Sequence, residues 1–411
     1  MAKKKQPDPD GNRNSSSLGR RTFLGSALSL AYAGAKTSSL QAAASTPLPA
    51  HHLGCPLWCD KGGLIEPTQP SREKEVRQFI QKCFDHGVTR LFPWTGSRVL
   101  VAAAHEKNIR VDPYLAFNSH GRKRRVYSWS LDYPRSPIES PQAKRLLDQH
   151  RPIWSHPSPD EELTDFAAQH PGWWALDRDH TRTLEMGGKR LMSLVVPEVR
   201  AHEIELYLAL LDDTGGDGIQ VEFVSLNEDA NGITIFGYES PMVDAFRRAS
   251  GKDPKTLSNQ DPDWVQFRAD QVTECMRELR QRLKRKDPNA VLSVAASNRE
   301  QGDYIKVGQD WSRWVAEDLF DEYYLWFPNT SDLETIGRQV SQMAEIVAGR
   351  RPLVAEISCY HLGSIQDPKR LLQAARRAKA NGADSVGLYR SHSVDQLDLW
   401  PVVSQIARLF S

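Results

Sequence analysis

A chain of 411 residues, 39% of them hydrophobic, is long enough for one large or two ordinary domains with a substantial core. Its formal charge of +1 hides an asymmetry: residues 1–44 carry seven Lys/Arg against two Asp, leaving 46 basic and 50 acidic side chains in the remainder. A body with a net charge of −4 has no electrostatic footprint for nucleic acid, and five scattered cysteines exclude a disulfide framework. No CxxC or His-rich cluster marks a structural zinc, and no cofactor motif stands out.

The first segment reads as a leader. Arg20-Arg21-Thr22-Phe23-Leu24 opens a mild apolar run, Phe23 to Ala35, broken by Gly25, Ser26, Ser29 and Gly34, too short and weak for a stable membrane span. Ala42-Ala43-Ala44 then offers the small residues that a signal peptidase needs. The order resembles a twin-arginine export signal, which implies recognition by the twin-arginine machinery, cleavage near residue 44 and a periplasmic or secreted body, 45–411. The bland alternative is a basic tail.

Past residue 50 the chain repeats a short apolar run, a turn and a longer stretch with helical spacing. Cys55 and Cys59 fall in the first run. An extended strand would hold them about 13 Å apart, beyond bridging distance, unless the chain bends there. Strands are expected at 53–58, 89–93, 110–117, 218–224, 290–296, 322–327, 353–358 and 385–389. The intervening helices are expected at 72–85, 98–106, 199–211, 264–284, 311–318, 332–347, 368–380 and 399–410, with Ser71 as the first start signal and Gly87 or Gly382 following helix ends. Eight of each predict one α/β domain, a (β/α)8 TIM barrel, and no G-x-G-x-x-G follows the first strand. Two connections, 118–198 and 225–263, are far longer than typical and follow the third and fourth strands, on the face where barrels place their sites.

His170-Pro171-Gly172-Trp173-Trp174, then Pro197-Glu198-Val199-Arg200, then Asp217-Gly218-Ile219 resemble in order and spacing the glycosyl-hydrolase-like family 10 barrels, which are related to exported bacterial glycosidases. The helix from Trp264 to Arg282, with Arg268, Asp270 and Val272, is similar to the one that follows in that family, and the likeness runs over about residues 85–400. One departure is Glu222-Phe223, where the family's fourth strand commonly ends in Asp and an aromatic residue.

Glycoside hydrolysis needs two carboxyl groups flanking the scissile bond, and Glu222 and Glu356 close the fourth and seventh strands. The resemblance to retaining barrel glycosidases implies Glu222 as acid/base and Glu356 as nucleophile, with Glu228, after Asn227, a rival for the acid. Alternatively each glutamate points into the barrel and pairs with an arginine such as Arg390. Asp321 reads as a turn residue. Trp94, Trp326 and Tyr389 near strand ends and Trp173 and Trp174 in the third connection are candidates for stacking on a pyranose face, although each alone is more often core. Asn118, His120, Asn298, Arg299, Arg390 and His361 are polar groups placed to orient hydroxyls, and the basic run Arg122 to Arg125 would favour an acidic glycan. The expected partner is a carbohydrate. A carbohydrate-binding barrel without catalysis, and a metal-dependent sugar isomerase or epimerase using Glu222, Glu356 and His361, stand as alternatives.

Overall fold

The computed structural model describes residues 53–59, 70–93, 98–118, 120–123, 161–163, 165–180, 191–222, 224–226, 234–297, 299, 302–360 and 363–411. The expected leader, residues 1–44, lies outside them, as do Trp94, Glu228, Asn298 and His361. The body from residue 51 onward is one compact unit.

Its strands are β1 (Leu57–Cys59), β2 (Arg90–Pro93), β3 (Arg110–Val111), β4 (Tyr114–Ala116), β5 (Gly121–Lys123), β6 (Glu161–Leu163), β7 (Gly218–Glu222), β8 (Val291–Ser297), β9 (Glu322–Phe327), β10 (Leu353–Ser358) and β11 (Ser385–Tyr389). The main sheet is wholly parallel in the order β3-β2-β1-β11-β10-β9-β8-β7-β4. Its two ends are successive segments of one strand, interrupted at Asp112-Pro113. Leu91 pairs with Val111 on one side and Tyr114 with Gln220 on the other. The third strand therefore closes the ring by pairing β2 with its first half and β7 with its second. Proline, which has no N–H for the ladder, sits where the strand changes partners.

Near-continuous Val, Leu, Ile and aromatic runs suit strands buried on both faces, and the outward side chains meet helices whose apolar stripes form the main core with them. Among those helices are Pro70–Asp85, Pro197–Thr214, Pro262–Lys286, Leu333–Val347, Pro368–Ala380 and Trp400–Leu409. The first begins at Pro70, so Ser71 lies inside it rather than marking its start. Gly87 and Gly382 follow helix ends with φ of +77° and +99°. All five cysteines are buried.

The "Asp-Gly-Ile" segment is structural. Asp217 accepts the Val111 N–H at 2.8 Å, and a Cβ on Gly218 would sit 2.3 Å from the Val291 carbonyl and 2.7 Å from Asp112. Only glycine fits where three strands begin this close together.

Both long connections carry secondary structure of their own. The third contains the antiparallel pair β5–β6 and a helix, Asp165–Gln169; the fourth contains a helix, Ser240–Ser250. A bridge from Asp177 to Phe236 joins the two connections. Arg268, 1% exposed, donates to the carbonyls of Thr234, Phe236 and Asn259 and so satisfies buried loop backbone that no ladder reaches.

Candidate active site

Because strand side chains alternate, the inward residues of the ring stack in layers. At the N-terminal end, Arg90 lies 2.6 Å from Asp112, ion-pairs with Glu322 and donates to the Tyr324 hydroxyl at 2.8 Å. Above this charged floor comes an aromatic layer. Trp58 stacks on Phe92 at 4.6 Å, meets Tyr324 edge-on at 5.6 Å and donates its indole N–H to Gln220 at 2.8 Å. A Cβ on Gly387 would lie 2.5 Å from the Trp58 ring, so the glycine leaves room for the indole. The layer is fully buried and closes the barrel below its mouth.

The next inward positions are the carboxylates. Glu222 ends β7 and Glu356 lies in β10; they are 6% and 1% exposed. Register places Trp326 beside Glu356, and Tyr389 beside Ser358. Burial pushes the Glu356 carboxyl well above the usual carboxylate range, and the negative charge of Glu222 pushes it the same way. Glu222 and Glu356 each follow by two residues a side chain at the aromatic layer, Gln220 and Val354, so both point inward above it. Glu356 Oε2 has no hydrogen-bond partner among the described residues. The pairing of Glu356 with Arg390 that the sequence left open does not form: the Arg390 guanidinium lies 3.6 Å from the Tyr360 ring centroid. Trp326, Tyr389 and Tyr360 follow one another with centroid separations of 6.1 and 6.4 Å.

Three other expected site residues are committed elsewhere. Asn118, with φ of +49°, is 1% exposed, and its amide donates to the Met192 carbonyl at 2.9 Å while accepting the Met192 N–H at 3.0 Å. With both ends of the amide used, it pins the third connection instead of orienting a hydroxyl. His120 is fully buried and pairs with Glu203 at 2.7 Å. Trp173 stacks on His170 at 4.0 Å and packs against the core. These residues belong to a wall behind the site, where Phe166 also stacks on His202 at 3.8 Å. Burial lowers the His202 pKa to about 4, keeping that imidazole neutral.

Asp321 takes the turn role expected of it, accepting from the Leu292 N–H at 2.9 Å and pairing with Lys284 and Arg280. Among the described residues no group of three His, Cys, Asp or Glu converges as a metal site would require, and no helix is long and apolar enough to cross a membrane. Tyr360 is not distinguished in the sequence, since one aromatic residue in a turn carries no periodic signal.

The barrel is similar to several solved structures. The glycoside hydrolase domain of PgaB (BpsB) from Bordetella bronchiseptica aligns over 86% of this chain and 99% of its own length, with TM-score 0.54 and 13% identity. The β-galactosidase of the psychrophilic Marinomonas ef1 aligns over 86% of this chain, with TM-score 0.54 and 11% identity. That of the Antarctic haloarchaeon Halorubrum lacusprofundi aligns over 87%, with TM-score 0.53 and 12% identity. The chain spans 58% and 57% of the lengths of these two galactosidases. At such identities the shared property is the fold, a glycosidase-like barrel. No curated protein matches the chain in sequence. Residues 153–327 match the family model Glycosyl hydrolase-like 10, a segment that includes Glu222 and ends with β9, ahead of Glu356.

Proposed function

We propose that the chain is an exported glycoside hydrolase that cleaves a polysaccharide or oligosaccharide by a two-carboxylate, retaining mechanism. The observation that carries this reading is the meeting of Glu222 and Glu356 at the mouth of a sealed barrel, close enough for one charge to oppose ionisation of the other. A hydrolase needs one carboxyl protonated and one ionised at the same pH, and a coupled buried pair meets that need by sharing a single proton. Trp326 and Tyr389 beside the pair supply apolar faces for a sugar ring.

Electrostatics favours roles opposite to those implied by the resemblance. Glu356 is the more deeply buried carboxyl, so it holds the proton in the resting site and donates it to the departing glycosidic oxygen. Glu222 is then the ionised partner that attacks the anomeric carbon. Water subsequently releases the glycosyl group from Glu222, with Glu356 acting as base.

The test is a screen of the mature protein against a polysaccharide panel, alongside Glu222→Gln and Glu356→Gln. Each substitution is expected to lower kcat by about a hundredfold or more, as loss of a positioned acid, base or nucleophile does. The anomer released first, followed by NMR, reports retention. Mass spectrometry of an enzyme inactivated with a fluorinated glycoside is expected to place the label on Glu222. Full activity in both variants would overturn the assignment, and a label on Glu356 would restore the roles implied by the resemblance. Export by the twin-arginine route belongs to the same proposal and is supported by Arg20-Arg21, the apolar run and the alanine triplet.

A further inference from the structure

We infer that Tyr360, backed by Arg390, forms a second sugar-stacking position outside Trp326, so that the substrate is a saccharide chain occupying at least two successive positions on this side of the carboxylate pair. The inference rests on the glycoside hydrolase reading and extends it to substrate length.

Large hydrophobic side chains are exposed at three described positions: Phe84, Tyr360 and Leu397. Phe84 lies at the end of the helix that leads into β2, at the end of the barrel away from the carboxylates, and Leu397 offers no flat face. Tyr360 alone adjoins the site. Its backbone N–H donates to the Ser358 hydroxyl at 3.2 Å, fixing it just past the end of β10. Its ring packs edge-on to Tyr389, with centroids 6.4 Å apart, and Tyr389 in turn packs edge-on to Trp326, which lies beside Glu356, at 6.1 Å.

The support beneath Tyr360 matters as much as its exposure. Arg390 is 2% exposed, and its guanidinium lies 3.6 Å from the ring centroid. It lies over the ring, and Tyr360 still keeps 39% of its surface exposed. A ring held by a buried cation is immobilised before ligand arrives and loses little side-chain entropy on binding. Trp326 near the reacting bond and Tyr360 at the rim thus offer two fixed apolar faces, with Tyr389 between them.

The experiment measures KM and kcat for substrates of increasing chain length with wild type, Tyr360→Ala and Tyr360→Phe. Loss of one stacking face is expected to raise KM for long chains about three- to tenfold while kcat stays unchanged. The shortest cleaved substrate is expected to be unaffected, and Tyr360→Phe to behave as wild type. Hydrolysis with the same KM for Tyr360→Ala and wild type on long chains overturns this inference and leaves the hydrolase reading standing. Affinity electrophoresis through polysaccharide gels separates the two further. If no glycan is cleaved but retardation is lost in Tyr360→Ala, the stacking position holds and catalysis falls; if wild type is neither retarded nor active, both fall.

Discussion

Replacing Arg90 by methionine tests whether the floor of the barrel is one electrostatic unit. Arg90, Asp112 and Glu322 are 3%, 0% and 6% exposed, and Arg90 faces both carboxylates. Methionine retains much of the apolar stem and removes the cation. Asp112 then has Arg110, a partly exposed guanidinium 3.6 Å away, and Glu322 has the Tyr324 hydroxyl, which donates to it at 2.9 Å. Breaking a buried pair by removing one partner costs about 3–5 kcal/mol, and these residual contacts place Arg90→Met near the lower end, about 3 kcal/mol. Urea unfolding followed by tryptophan fluorescence measures the loss, with Trp58 just above the cluster as a reporter. An unpartnered buried carboxylate either stays charged at a cost or takes up a proton, so the penalty is expected to be smaller at about pH 5 than at about pH 7. Adding Glu322→Gln to Arg90→Met is expected to recover part of the loss, because the second substitution removes one stranded charge. A single variant within about 1 kcal/mol of wild type, or a double variant no more stable than the single, would refute the coupling.

Two more outcomes are expected. Burial and Glu222 raise the Glu356 pKa in the folded protein above its unfolded value. The contribution of Glu356 is therefore fully present below the unfolded carboxylate pKa and is lost as pH rises through the folded one. Glu356→Gln is accordingly expected to unfold at higher urea than wild type near neutral pH and at the same urea in acid below the ordinary carboxylate range; a less stable variant at neutral pH would contradict the shift. For the leader, Arg20→Lys together with Arg21→Lys is expected to leave the precursor in the cytoplasm, as immunoblots of cell fractions would show, and continued export of the double variant would refute the twin-arginine route.

What the sequence showed of this protein follows the range of the interactions that set each feature. β9, β10 and β11 match their expected bounds because aromatic and β-branched runs buried on both faces leave little choice of register. The third strand, expected to be continuous from 110 to 117, breaks at Asp112-Pro113. Proline warned of irregularity, but the change of partner from β2 to β7 is a property of the closed ring. The helix Ser240–Ser250 lies within the expected connection 225–263, although Pro241, buried Met242, Val243 and Phe246, and a left-handed Gly251 at its end supply the start, stripe and stop of a helix. Glu356 was legible because an acid inside an apolar strand needs a reason. Asn118 departs from its expected role because its work depends on Met192, 74 residues away, and no local pattern encodes that contact.

The same separation by layer explains why the site carboxyls behave as they do. Within the barrel, the Arg90 guanidinium is committed to Asp112 and Glu322 at the floor, beneath the Trp58–Phe92–Tyr324 layer. At the mouth, the Arg390 guanidinium lies on Tyr360. Neither acts on Glu356, whose titration is governed by burial and by Glu222. An arginine paired with Glu356 would make its carboxylate ionise at ordinary acidity and useless as a proton donor near neutrality. The aromatic layer thus does more than fill space. It keeps the floor's cation and the mouth's carboxylates apart, and that separation lets one of two glutamates hold a proton at the mouth of the barrel.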